Sequence, residues 1–188
     1  MSLLLALLLG CGGDAAAPVA SSRRVDAVQA TRPSGEVVQG FCDVFAEAGA
    51  GKPYVEPALA AATPAHPAGW RWVNVWATWC GPCVAEMPLV QRWHAQLAGE
   101  GVPVALELLS FDTDPAEVAR FHAKHPEVPP GPRIRGQDDI APWLEAMGLP
   151  ASTPIPLHVF VDPSGGVRCV RASALTSGDL PIVRELLR

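Results

Sequence analysis

Trp72-Val73-Asn74-Val75-Trp76-Ala77-Thr78-Trp79-Cys80-Gly81-Pro82-Cys83-Val84-Ala85-Glu86-Met87-Pro88 is the stretch that decides the fold. The run Trp70 to Trp76 is apolar and β-prone, as expected of a strand buried on both faces in the middle of a mixed or parallel sheet. Helix-compatible sequence follows from Cys83 to about Ala98. A Cys-Gly-Pro-Cys pair therefore falls at a strand-to-helix junction, where unsatisfied N–H groups of a helix start collect. Their field favours a thiolate, the reactive form of cysteine. Cys80, at or before the first turn, is the expected nucleophile, and Cys83, one turn further and more buried, the residue that resolves a mixed disulfide. Gly81-Pro82 suits the first turn, where a proline loses no needed hydrogen bond. The competing reading is a structural zinc knuckle. It needs a second ligand pair, and none has the right spacing: His94 shares the helix, and His122 and His125 have no cysteine nearby.

The string W-C-G-P-C, preceded by N-V-W-A-T and followed by V-A-E-M-P, resembles the thioredoxin superfamily. Within it the resemblance is to the TlpA/ResA/DsbE-like extracytoplasmic reductases, and it extends from about Phe41 to the C-terminus. It implies an α/β thioredoxin fold, with a central mixed β-sheet flanked by helices and an extra helix before the strand that follows a cis-proline. In that family such a proline lies against the active-site disulfide; Pro156 matches it, with Pro154 the other register. A trans proline merely opening the strand is the plainer alternative, since cis bonds are uncommon even at X–Pro. The resemblance further implies that the Ile155 backbone offers strand-like hydrogen bonds to a docked substrate chain, with Trp79, Gly81 and Pro82 beside it.

Glu86 lies one helical turn beyond Cys83. A carboxylate there can accept the proton that Cys83 must lose before it attacks. Cytosolic thioredoxins use an aspartate on the central strand, and the matching position here is Asn74, which does not titrate. A solvent-exposed helix glutamate is the ordinary alternative. Trp76 reads as core, and His158 as a partly buried strand histidine that is not a ligand.

The rest of the chain fits around this centre. Val37 to Val44 reads as an opening strand or strand-like arm containing Cys42, followed by a Pro- and Ala-rich loop. Met87, Val90, Trp93 and Leu97 give the helix after Cys83 its buried stripe, and Pro88 predicts a kink. Val102 to Phe111 is the next strand. Asp112 or Thr113 is expected to cap a helix over Pro115 to Lys124, with Val118 and Phe121 inward. After an irregular segment, Pro126 to Gln137, helix resumes from about Asp139 to Met147. Leu157 to Val161 and Val167 to Arg171 form a hairpin about Asp162-Pro163-Ser164-Gly165-Gly166, and a last helix begins near Asp179.

The first ten residues carry an unbroken apolar segment, Leu3 to Leu9, too short to cross a hydrocarbon core of about 30 Å. It has the size of a signal-peptide core, and Leu8-Leu9-Gly10-Cys11 resembles a bacterial lipobox. Residues 1–10 are thus read as a lipoprotein signal peptide, Cys11 as a lipid-anchored terminus, 11–40 as a flexible tether and 41–188 as the domain. An ordinary secretory peptide cut near Ala15 to Ala17 is the other reading. Either implies export to a bacterial periplasm.

Five cysteines are present; with Cys11 set aside and Cys80 paired with Cys83, Cys42 and Cys169 remain. They are expected to form a stapling disulfide worth roughly 4 kcal/mol, with two buried free thiols as the alternative. The net charge of −5 gives no electrostatic footprint for nucleic acid. The expected function is a monomeric thiol–disulfide oxidoreductase reducing disulfides of exported proteins, with no cofactor beyond its cysteine pair and no metal. The resemblance implies recharging by a membrane-embedded thiol carrier, and apocytochrome c cysteines among the substrates. A copper-delivery module on the same fold is the alternative function, though such modules usually space their cysteines by three residues.

Overall fold

The computed structural model describes residues 33–62 and 68–188. The signal peptide, Cys11 and most of the tether lie outside the described residues. The elements are α1 (Gly35–Phe41), β1 (Val44–Phe45), β2 (Trp70–Trp76), α2 (Gly81–Gly99), β3 (Val104–Ser110) and α3 (Pro115–Lys124). A 3-10 turn (Gln137–Asp139) then leads into α4 (Ile140–Ala146), β4 (Leu157–Val161), β5 (Val167–Arg171) and α5 (Leu180–Leu186).

Five strands form one mixed sheet in the order β1-β5-β4-β2-β3. β2 is central, parallel to β3 and antiparallel to β4. Alternation along β2 serves two cores. Val73 and Val75 pack with Leu109, Ile134 and Trp143, whereas Trp70 and Trp72 pack with Trp93, Leu97, Phe160 and Val183. The expected helix face on α2 is buried as Met87, Val90, Trp93 and Leu97, and the helix continues through Pro88 as one element. Among the described residues no helix is long and apolar enough to cross a membrane.

Two expectations are corrected. The segment read as an opening strand is mostly helix: Ser34 caps α1 by accepting from the Val37 N–H, and Val38 and Phe41, three apart, are the buried pair. The cap of α3 is Asp114, whose Oδ1 accepts from Ala116 N at 2.8 Å. Asp112 is instead buried and committed elsewhere.

Two ties hold the β4–β5 side of the sheet. A disulfide joins Cys42, at the end of α1, to Cys169 on β5, with Cα atoms 5.5 Å apart and the two cysteines 127 positions apart in the chain. Asp162, in the hairpin turn, accepts from Ser164 N at 2.8 Å, Gly166 N at 3.1 Å and Gly49 N at 3.3 Å, and from the Ser164 hydroxyl. Gly165 supplies the left-handed residue of that turn, with φ 87°. Burial pushes the Asp162 carboxyl up, and the hydrogen bonds from Ser164, Gly166 and Gly49 outweigh it, so the group sits below the usual carboxylate range.

Replacing Cys42 and Cys169 together by Ser removes the long cross-link and is expected to cost about 4 kcal/mol in urea unfolding. Asp162→Asn should cost about 1–2 kcal/mol at neutral pH, since the turn donors lose a charged acceptor. A carboxyl held low when folded contributes stability above its unfolded value, near ~3.9, and loses it as pH falls through the folded value. The gap between wild type and Asp162→Asn should therefore close in acid, which urea titrations at several pH values would measure.

Candidate active site

Burial of β2 on both faces fixes where its C-terminal end emerges, and the next residues are held by hydrogen bonds. Asp112, just past β3, accepts from Thr78 N at 2.9 Å and from the Thr78 and Ser110 hydroxyls at 2.7 and 2.8 Å. Thr78 is thereby pinned two residues before Cys80. The Cys80 N–H then donates to the Ala77 carbonyl at 3.0 Å.

Cys80 is the N-cap of α2. Its sulfur accepts from Cys83 N at 3.3 Å, its carbonyl accepts from Val84 N at 3.1 Å, and Pro82 occupies the first turn, where no N–H is needed. The sulfur thus faces the amide end of a nineteen-residue helix. It is bonded to Cys83, with Cα atoms 5.3 Å apart. Cys83 is fully enclosed and Cys80 only slightly exposed, so access falls to the side of Cys80.

The Ile155–Pro156 peptide is cis. The Ile155 carbonyl oxygen lies 3.7 Å from Cys80 Sγ, which puts the backbone before β4 directly against the disulfide. Trp79, 69% exposed, is a large apolar side chain left open to solvent beside it. Gly81 and Pro82 are also exposed. Trp79 and Gly81 border a cleft of about 650 Å³ whose far wall is α3, through Arg120, Phe121 and Lys124.

Glu86 is not a surface glutamate. It is 5% exposed, on the sheet side of α2. Its Oε1 accepts from Asn74 Nδ2 at 3.0 Å and its Oε2 from Leu175 N at 2.8 Å. The Nε2 of His158 lies 3.2 Å from Oε1, close but off-axis, an electrostatic contact short of an aligned hydrogen bond. The expectation of a partly buried His158 is corrected: it is fully buried and belongs to this cluster. Asn74 and His158 are directly opposed in the β2–β4 ladder, so the register itself delivers both to Glu86. Sequence reading missed His158 and Asp112. A polar residue in the otherwise apolar run Leu157 to Val161 was the available signal for the first.

The fold and the cysteine pair define a thioredoxin-fold protein with a Cys-x-x-Cys disulfide at the start of its long helix. Comparison with known proteins agrees. Over 104 residues the chain is 31% identical to the thiol-disulfide oxidoreductase ResA of Oceanobacillus iheyensis, covering 55% of this chain and 50% of that protein. Over 77 residues it is 30% identical to ResA of Bacillus cereus, covering 37% and 42%. The matches thus span half or less of the length of these curated relatives. No family profile matches. Among solved structures, a thioredoxin-related protein from Neisseria meningitidis superposes with a TM-score of 0.52 at 24% identity, covering 65% of this chain and 84% of that one. A structure described as thiol:disulfide interchange protein DsbE from Chlorobium tepidum gives 0.53 at 19% identity, covering 72% and 93%. The chain has the thioredoxin fold, shared with DsbE-like structures, and is similar in sequence to ResA over about half its length.

Asp112→Ala strips the Thr78 N–H and two hydroxyls of a buried acceptor. It should cost about 2–3 kcal/mol in denaturant unfolding. A loss under about 0.5 kcal/mol would mean that the loop before Cys80 is held by something else.

Proposed function

We propose that this chain is an exported thiol–disulfide oxidoreductase that reduces disulfides in other exported proteins. The observation that carries the reading is the Cys80 sulfur at the amide end of α2, bonded to an enclosed Cys83 and lying against the Ile155 carbonyl. In the reduced protein Cys80 is the nucleophile. Its thiolate attacks one sulfur of a substrate disulfide, forming a mixed disulfide and releasing the other substrate sulfur as a thiolate, which takes a proton from water. Cys83 gives its proton to Glu86 and attacks Cys80; the second substrate sulfur leaves as a thiolate and is protonated in turn. Two electrons pass from the Cys80–Cys83 dithiol to the substrate, and the protein is left in the disulfide form.

Substrate placement falls to the rim. Trp79, Gly81 and Pro82 offer an apolar lip, and the Ile155 backbone before Pro156 offers main-chain hydrogen bonds to an extended chain. The resemblance to ResA supports a disulfide-containing protein as substrate, with apocytochrome c a candidate. Recharging needs a dithiol donor, which we assign to a membrane-embedded thiol carrier. Lipid on Cys11 would hold the domain at a periplasmic membrane surface through the tether; the lipobox-like sequence supports this part.

The reduced protein should precipitate insulin by reducing its interchain disulfides, and Cys83→Ala should retain partner proteins as mixed disulfides on Cys80, visible as bands lost on adding reductant. Inertness toward insulin and small disulfides would overturn the assignment. Trp79→Ala, at a site 69% exposed, should change stability by less than about 0.5 kcal/mol. It should nonetheless lower kcat/KM several-fold for a protein disulfide while sparing a small one.

A further inference from the structure

His158 has no part in the proposed reaction, yet this side chain is fully buried on β4, against Trp72 and Asn74 of β2. Trp72 Nε1 lies 3.1 Å from His158 Nδ1. An indole nitrogen only donates, so Nδ1 accepts and carries no proton. Asn74 Nδ2, 3.3 Å away, approaches the same nitrogen as a second donor. The one proton of a neutral imidazole is then on Nε2, the atom 3.2 Å from Glu86 Oε1. Arg171 is the cross-strand neighbour of His158 on β5. Protonating Nδ1 would break the bond from Trp72.

We propose that Trp72 and His158 form a positioning relay, in which the indole locks His158 as the neutral Nε2–H tautomer and that N–H keeps Glu86 oriented and charged for accepting the Cys83 proton. The proposal rests on the reading of Glu86 given above. His158 acts through Glu86 and touches no reacting sulfur in this role. Without the relay Glu86 keeps two donors, Asn74 and the Leu175 amide. The His158 contact, electrostatic and not an aligned hydrogen bond, is the one of the three that a change of tautomer can remove. On β5, next to His158, Arg171 donates to the Phe41 carbonyl at 2.8 Å and stacks on the Phe41 ring. β2 brings Asn74, and α1 and α5 present Phe41, Val183 and Leu186 to this core.

The relay can be read without any turnover. Nitrogen NMR of the wild-type oxidised protein at neutral pH should show His158 with a bare Nδ1 and a protonated Nε2. Trp72→Phe keeps an aromatic ring but removes the donor, and a measurable fraction of the His158 proton should then be found on Nδ1. In the reaction, a charged acceptor is needed, so losing a donor to the carboxylate should move the acidic limb of the Cys83 resolving rate to higher pH. His158→Leu should move it in that direction, read as a several-fold loss of resolving rate at acid pH. His158→Gln, which retains an N–H of similar reach, should restore most of it.

A proton on Nδ1 in the wild-type protein would overturn the relay even in an active reductase. Equal shifts in the Leu and Gln variants would also overturn it. An inactive wild-type protein with the expected tautomer would overturn the redox reading instead and leave the Trp72–His158 lock standing.

Discussion

A sulfur that caps its own helix sets the chemistry of this domain. Cys80 accepts the Cys83 amide with the same atom that forms the disulfide. That geometry requires the chain to arrive at residue 80 in one direction and to turn into α2 at once. β2 provides the direction, because a strand enclosed on both faces by two separate cores cannot slip by one residue without exchanging them. Asp112 then holds Thr78, and the turn from Ala77 to Cys80 is closed by a backbone bond. The position of the sulfur is a consequence of these constraints and not of the Cys-Gly-Pro-Cys segment alone.

The site is built from four elements, drawn from three stretches far apart in the chain. β2 leads into the cysteines and contributes Asn74, α2 contributes Glu86, the segment before β4 contributes Ile155 and Pro156, and the stretch before α5 contributes the Leu175 amide. Their meeting depends on the antiparallel pairing of β2 with β4. This pairing opposes Asn74 to His158 and leaves Leu157 opposite Val75, so the residues just before β4 fall beside the start of α2. The Cys42–Cys169 bond and the Asp162 turn act on β5 and its hairpin, and so help keep β4 in that register.

Much of this was legible in the sequence because its signals are local. The apolar run ending at Trp76, the cysteines and the stripe Met87, Val90, Trp93, Leu97 lie within thirty residues or so and obey simple periods. The hairpin announces itself through Asp162 and the glycines that follow. The failures are of two kinds. α1 is two turns long and rich in apolar residues, and its one helix signal, the spacing of Ser34, Val38 and Phe41, competes with a strand-like reading of the same letters. Asp112 and His158 take their roles from partners 34 and 86 residues away in the chain, Thr78 and Trp72. No local period records such partnerships; only the sheet register does.

The central claim is that the backbone field at the start of α2 keeps the Cys80 sulfur anionic. The direct measurement is the pH dependence of its alkylation in the reduced protein, with each cysteine followed separately by mass. The account predicts that Cys80 reacts with a midpoint well below the value of about 8.5 for free cysteine, while Cys83 stays slow. A Cys80 midpoint near that of free cysteine, with Cys83 reacting at a similar rate, would contradict it.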